Sequence, residues 1–311
     1  MTADKNIQEI LPDLFFIQRG YLNGNHFVYR RYPVVLIDTG YLGCLQETRE
    51  LLAYLGVDFS QVELIINTHC HCDHVGANQA IQQESDCEIA LHSIGQYFIN
   101  SSDDWATWWK YYNQEARFFQ ASRGLQDGES ITVGPETFQV LYTPGHSADG
   151  LVLYHPEQKI LLSSDTLWEF DVPAITERVE GSRALFSLQE SLQYLEGLEV
   201  EKVYPGHGRP FSDFASALHK AQNKVQRYLE DKSLLGRDQI KKIMVYTLLT
   251  RGNTPEASFL EDLMHTYWFP ESVGLYFQGR YQETYQQCLQ ELLQRQTVSR
   301  QEGFLYPEVA A

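Results

Sequence analysis

The sequence predicts an α+β chain in two parts, a mixed strand-and-helix part over 1–213 and a mainly helical part over 214–311. Three observations predict it. In the first part, short β-branched runs such as VELIINT (62–68) end at polar breaks, as buried strands do. Past Pro210, apolar residues recur at helical spacing instead. Charge divides at the same place: 214–311 carries 11 basic and 11 acidic residues, against 13 basic and 30 acidic in 1–213, so the net charge of −17 belongs to the first part. A chain of 311 residues can hold one large domain and a smaller one.

Taken in order, residues 14–18, 26–31 and 34–38 read as strands and 45–55 as an amphipathic helix with Leu45, Leu52 and Leu55 near one face. Strand 62–68 is followed by a histidine-rich run and a helix over 75–83, then a short strand at 88–91. Segment 93–121 is dense in aromatic residues. Within it, Trp105, Trp108, Trp109 and Tyr112 fall at i, i+3, i+4 and i+7 and are expected on one helix face. Strands at 138–142, 160–162 and 202–204 follow, with a loop at 167–181 (LWEFDVPAITERVEG) carrying Trp168, Phe170 and Pro173. The second part reads as helices at 214–231, 237–249, 255–267 and 281–294. A hairpin over 297–307 completes it, turning near Gly303.

The chemistry sits in the run Thr68-His69-Cys70-His71-Cys72-Asp73-His74, which packs four metal-ligand side chains into six residues. Imidazole and carboxylate suit zinc and its neighbours. His69 and His71, two apart in extended chain, project to one side and can share an ion. Asp73 and His74 lie past a bend and can serve a neighbouring ion, with Gly76 letting the backbone come close. His146, Asp165 and His207 each follow a hydrophobic strand and bring the set to seven, enough for two ions. His26, His92, His155, His219 and His265 read as packed or surface residues. Cys70 and Cys72 read as small buried side chains, since same-face strand residues lie too far apart for a bridge. Five cysteines without a repeating spacing make no disulfide framework.

These residues, with Leu36-Ile37-Asp38-Thr39-Gly40 ahead of them, resemble the metallo-β-lactamase fold superfamily over about 36–207. The resemblance implies a four-layer αββα sandwich with the metals at one edge. It implies His69, His71 and His146 on a first metal, Asp73, His74 and His207 on a second, and Asp165 bridging them. The helices and hairpin of 214–311 resemble the winged-helix-like domain found behind some members. The function implied is a dinuclear hydrolase with two Zn2+, iron and manganese being compatible with the same ligands. A metal-bridging hydroxide would attack a small ester, thioester or lactone, with Asp73 orienting the water and moving a proton. The alternatives within the superfamily are an endoribonuclease and a mononuclear iron persulfide dioxygenase.

Trp105, Trp109, Tyr112, Trp168 and Phe170 are the candidate substrate contacts. The acidic first part disfavours a polyphosphate backbone, so a small-molecule substrate is expected and nucleic acid is not. A homodimer is compatible with the aromatic stripe. No apolar run has the length of a membrane span, and Met1–Glu9 is polar and unlike a secretory leader, so a reducing, cytoplasmic setting is expected. Neither G-x-S-x-G nor a glycine-rich phosphate loop is present.

Overall fold

Strand alternation of period two builds the centre of the molecule. In the structure, a computed structural model describing residues 6–309, Leu14 and Phe16 face one way and Phe15 and Ile17 the other, and both faces are buried. The polar segment Met1–Glu9 lies largely outside the described residues. The first sheet runs in chain order through β1 (Ile7–Leu11), β2 (Leu14–Ile17), β3 (His26–Tyr29), β4 (Val34–Ile37), β5 (Val62–Ile66), β6 (Glu88–His92) and β7 (Arg123–Leu125). It is antiparallel up to β4 and parallel from β4 to β7. The parallel pairings leave room for crossover helices, and α1 (Leu45–Tyr54), α2 (Asn78–Ser85) and α3 (Ser93–Asn100) cover the outer face through Leu52, Ile81 and Ile99.

The second sheet has the order β12-β11-β10-β9-β8, built from β8 (Ser130–Val133), β9 (Glu136–Tyr142), β10 (Leu151–His155), β11 (Ile160–Ser164) and β12 (Lys202–Pro205). Its inner face meets the first sheet in a core that includes Phe16, Phe27, Phe138, Val140 and Tyr204. A four-residue helix, α4 (Trp109–Tyr112), and another, α5 (Glu177–Glu180), lie in the connections. The outer face is covered by α6 (Ala184–Leu195) and α7 (Phe214–Glu230). The result is the expected four layers, helix, sheet, sheet, helix.

Beyond them, α8 (Lys232–Arg251), α9 (Glu256–Met264), α10 (Trp268–Phe277) and α11 (Tyr281–Gln294) pack with a three-stranded sheet of β13 (Thr254–Pro255), β14 (Val298–Gln301) and β15 (Phe304–Pro307). Their core is continuous with Trp108, Tyr111 and Tyr112 of the aromatic segment, so this helical region is packed against the sandwich. No described helix is long and apolar enough to cross a membrane.

Several expectations are corrected. No helix runs from 105 to 112. Trp108 sits in the left-handed region at φ 67°, and the Asp103 carboxylate accepts the N–H groups of Trp105 and Ala106 at 3.0 and 3.1 Å, folding the chain into turns. Trp105, Trp108, Trp109 and Tyr112 therefore do not share a face. Helix α10 lies between the helices expected at 255–267 and 281–294 and is not among those the sequence predicts; its Pro270 stands in the first turn, where no intrahelical N–H partner is lost. Helix α8 begins earlier than expected because the Asp231 carboxylate caps it, accepting from Ser233 N at 2.9 Å. Strand β1 is a half-exposed edge with little apolar alternation to betray it.

The segment 166–181 crosses from β11 to α6 as a strap over the sheet ends and is tied to α8 and its neighbours. The Lys242 ammonium reaches Val172 O at 2.5 Å, Asp238 at 2.5 Å and Asp171 at 3.3 Å. Lys224 pairs with Asp171, and Lys232 with Glu177. Burial raises the Asp238 carboxyl, but Lys242 and Lys224 outweigh it and hold the group at about 2, below its ordinary 3.8. A depressed carboxyl stabilises the fold above its unfolded value and loses that contribution as pH falls through its folded value. Asp238→Asn is therefore expected to cost about 2 kcal/mol at neutral pH. It should also flatten the acid limb of a denaturation series between pH 4 and 2. A variant whose acid limb matches the parent would show that the tie contributes nothing.

Candidate metal centre

The site lies where strand ends from both sheets meet. His69, His71, Asp73 and His74 follow β5, His146 follows β9, Asp165 follows β11 and His207 follows β12. Each leaves a rigid strand, so the side chains are held rather than searched for. Two close-approach glycines make this convergence sterically feasible. A Cβ on Gly206 would stand 2.0 Å from Asp165 Oδ1, and one on Gly76 would stand 2.2 Å from the Leu42 nitrogen. The seven side chains are all buried, and they fall into two groups, His69/His71/His146 and Asp73/His74/Asp165/His207. Within each, the candidate ligand atoms lie within 4.8 Å of one another.

Hydrogen bonds fix which nitrogen of each imidazole faces inward. His69 Nδ1 lies 3.1 Å from the Thr68 hydroxyl, leaving Nε2 buried and without a partner. His146 Nδ1 donates to Ala174 O at 2.7 Å, leaving Nε2 inward. His71 is reversed: its Nε2 meets Glu180 Oε1 at 3.1 Å, and its Nδ1 lies 3.0 Å from His146 Nε2. On the other side, His74 Nδ1 meets Asp38 Oδ2 at 2.8 Å and its Nε2 is again orphaned. His207 Nε2 lies 3.1 Å from Asp73 Oδ2. Asp165 Oδ2 touches both groups, at 3.3 Å from His146 Nε2 and 3.6 Å from both His74 Nε2 and His207 Nε2. Buried, unpartnered imidazole nitrogens beside two carboxylates are costly. The donor set, with its orphaned atoms, fits two divalent cations of the zinc type.

The electrostatics divide along the same line. Burial pushes His69 well below its ordinary value and His71 and His146 down to about 4, so the first group is neutral and free to donate lone pairs. Burial works against charge on His74 too, but Asp73, Asp38 and Asp165 outweigh it and lift the group well up. His207 is raised in the same way, with Asp165 and Asp73 overcoming burial. Asp73 and Asp165 are held low against burial by these imidazolium partners. The second group thus balances its carboxylates with protons that a cation would displace.

Two supporting carboxylates carry no ligand of their own. Asp38 accepts from Thr68 N at 2.8 Å, Thr68 Oγ1 at 2.7 Å and His74, which gives the Asp-Thr-Gly motif its task. Glu180 is not among the residues the sequence singles out. It lies in the strap, with its side chain 4% exposed, and no local motif marks it; burial pushes its carboxyl up to about 7. Trp108 completes the wall, stacked on His71 at 4.0 Å between ring centroids and 27° between planes.

The candidate substrate contacts separate. Trp168 borders the site, with its indole N–H 3.3 Å from Asp165 Oδ1 and its ring 5.3 Å from that of His207. Tyr112 is buried behind Trp108, its hydroxyl bonded to Thr176 and Gln239. Trp105 packs on Tyr111 and Tyr267, and Trp109 on Phe118, both away from the seven side chains. Phe170 is 75% exposed, with Lys220 over its ring. Cys70 and Cys72 are buried and free, their sulfurs on Ala106 O and Gln114 Oε1.

Known proteins share these features. Residues 23–207 match the family model described as the metallo-beta-lactamase superfamily. A probable metallo-hydrolase of Bacillus subtilis is 27% identical over 59% of this chain and 66% of its own length. An acyl-coenzyme A thioesterase of Gallus gallus is 28% identical over 48% of this chain and 57% of its own. The chain thus covers less than two thirds of either relative. A metallo-beta-lactamase family protein of Thermus thermophilus superposes with a TM-score of 0.62, spanning 96% of this chain and all of that one at 21% identity, which speaks for the fold.

Proposed function

The chain belongs to the metallo-β-lactamase superfamily, and from that premise we propose a dinuclear zinc hydrolase acting on a small acyl thioester, with esters and lactones as further substrates. The observation that carries the reading is the convergence of the seven buried side chains into two adjoining ligand groups that share Asp165. The thioester is favoured because one relative is named an acyl-coenzyme A thioesterase.

His69 Nε2, His71 Nδ1 and His146 Nε2 would hold the first cation, and Asp73, His74 and His207 the second, with Asp165 between them. When bound, such a pair supplies Lewis acidity toward a carbonyl oxygen and a water acidic enough to ionise near pH 7. The chain's own residues do the rest. Asp73, whose Oδ2 reaches His207, orients the water and takes its proton. Asp38 and the Thr68 hydroxyl keep His74 and His69 in their inward tautomers. Trp168 holds the outer oxygen of Asp165, and with Trp108 it keeps bulk water from the ligand cage.

The test is a thiol-release assay on acyl thioesters of graded chain length, with esters, lactones, nitrocefin, single-stranded RNA and a persulfide as comparison substrates. Thioester turnover that a chelator removes and added zinc restores is the expected result. Turnover indifferent to chelation would overturn the proposal.

A further inference from the structure

Two obligate donors and one imidazole nitrogen converge on one buried side chain that holds no place in the ligand set. Glu180 Oε1 lies 3.1 Å from Trp108 Nε1 and 3.1 Å from His71 Nε2, and Oε2 lies 2.8 Å from the Ala148 nitrogen. The indole and the peptide nitrogens can only donate. Each Glu180 oxygen therefore accepts at least one bond, and to the carboxylate form the matching partner at His71 is a donating Nε2–H. A neutral imidazole has one proton. Placing it on Nε2 leaves a lone pair on Nδ1, the atom 3.0 Å from His146 Nε2. The ring has no freedom to turn, because Trp108 lies flat against it and is itself held by the same carboxylate. Ala148 is two residues from His146, so Glu180 braces that loop as well.

We propose that Glu180 is the positioning residue of the first metal group. It sets the tautomer of His71 and the orientation of its ring, and it does so from the strap rather than from the sandwich. The proposal rests on the metal-centre reading above and adds that one end of the strap belongs to the centre. Strap residues 172–174 reinforce this arrangement, since Ala174 O fixes the His146 ring. Carboxylate–imidazole–metal arrangements of this type change metal affinity by about 10–100-fold when the outer partner is removed.

The experiment is zinc titration of the full chain against a chromophoric chelator, for the parent, Glu180→Ala and Glu180→Gln, with far-UV circular dichroism to establish folding. In Glu180→Ala the first group should weaken about 10–100-fold while the Asp73/His74/Asp165/His207 group keeps its affinity, so tight stoichiometry falls from two toward one. Glu180→Gln, which keeps an acceptor but not the charge, should fall between. A folded Glu180→Ala variant with parental affinity at both groups would overturn the proposal. If that variant does not fold, Glu180→Gln decides, and parental affinity there overturns it equally. A parent that binds no zinc would instead remove the metal-centre reading itself.

Discussion

Asp165→Ala is expected to abolish turnover, lowering kcat/KM for a thioester by about 10³-fold or more, a loss of at least roughly 4 kcal/mol in transition-state stabilisation. Among the described residues Asp165 is the carboxylate whose one oxygen reaches both ligand groups, its Oδ2 lying within 3.3–3.6 Å of His146, His74 and His207. Its removal leaves two separate sites and two buried imidazoles without their counter-charge. Bound zinc, measured by elemental analysis after gel filtration, should fall below one equivalent. The side chain is 4% exposed and small, so the fold should survive with a modest cavity cost. Activity within tenfold of the parent would rule out a shared carboxylate.

Zinc is expected to raise the melting temperature. A ligand at one hundred times its dissociation constant adds about 2.7 kcal/mol, which for a chain of this length corresponds to about 4 °C. The direction with pH follows from the second group. His74 and His207 are raised by the Asp73 and Asp165 carboxylates beside them, so in the absence of a cation both hold their protons to higher pH than a free imidazole would. A cation must displace those protons, and competition from them grows as pH falls. The zinc-induced shift should therefore shrink between pH 8 and pH 6, as read by differential scanning fluorimetry at fixed free zinc. A shift that is absent at saturating zinc, or that grows on acidification, would contradict this account of the site.

The strand ends are legible in the sequence because each couples a β-branched run to a polar break, and the ligand types stand at those breaks: His69 after VELIINT, His146 after FQVLYTPG, Asp165 after ILLSS. The four-layer class comes from the resemblance those residues carry, and the two apolar faces of β2 agree with it. The aromatic segment misleads for a local reason. Spacing at i, i+3, i+4 and i+7 assumes continuous helical dihedrals, and a single positive φ at Trp108, with Asp103 competing for backbone donors, breaks the series. Helix α6 carries a readable signal, Leu185, Leu188, Leu192 and Leu195 on one face, that a reading led by strands and ligands omits. Glu180 has no such signal. Its role arises only when the strap folds back onto β5's exit, bringing together residues 109 positions apart.

Beside the Glu180 and Trp168 side chains, the strap makes two of its ties through peptide groups. Ala174 O receives the His146 proton and Val172 O receives the Lys242 ammonium, so neither contact depends on which side chain those positions carry. Its outward side chains, Phe170 foremost, point to solvent. Substitution of Phe170 is therefore expected to leave the peptide ties to His146 and Lys242 in place.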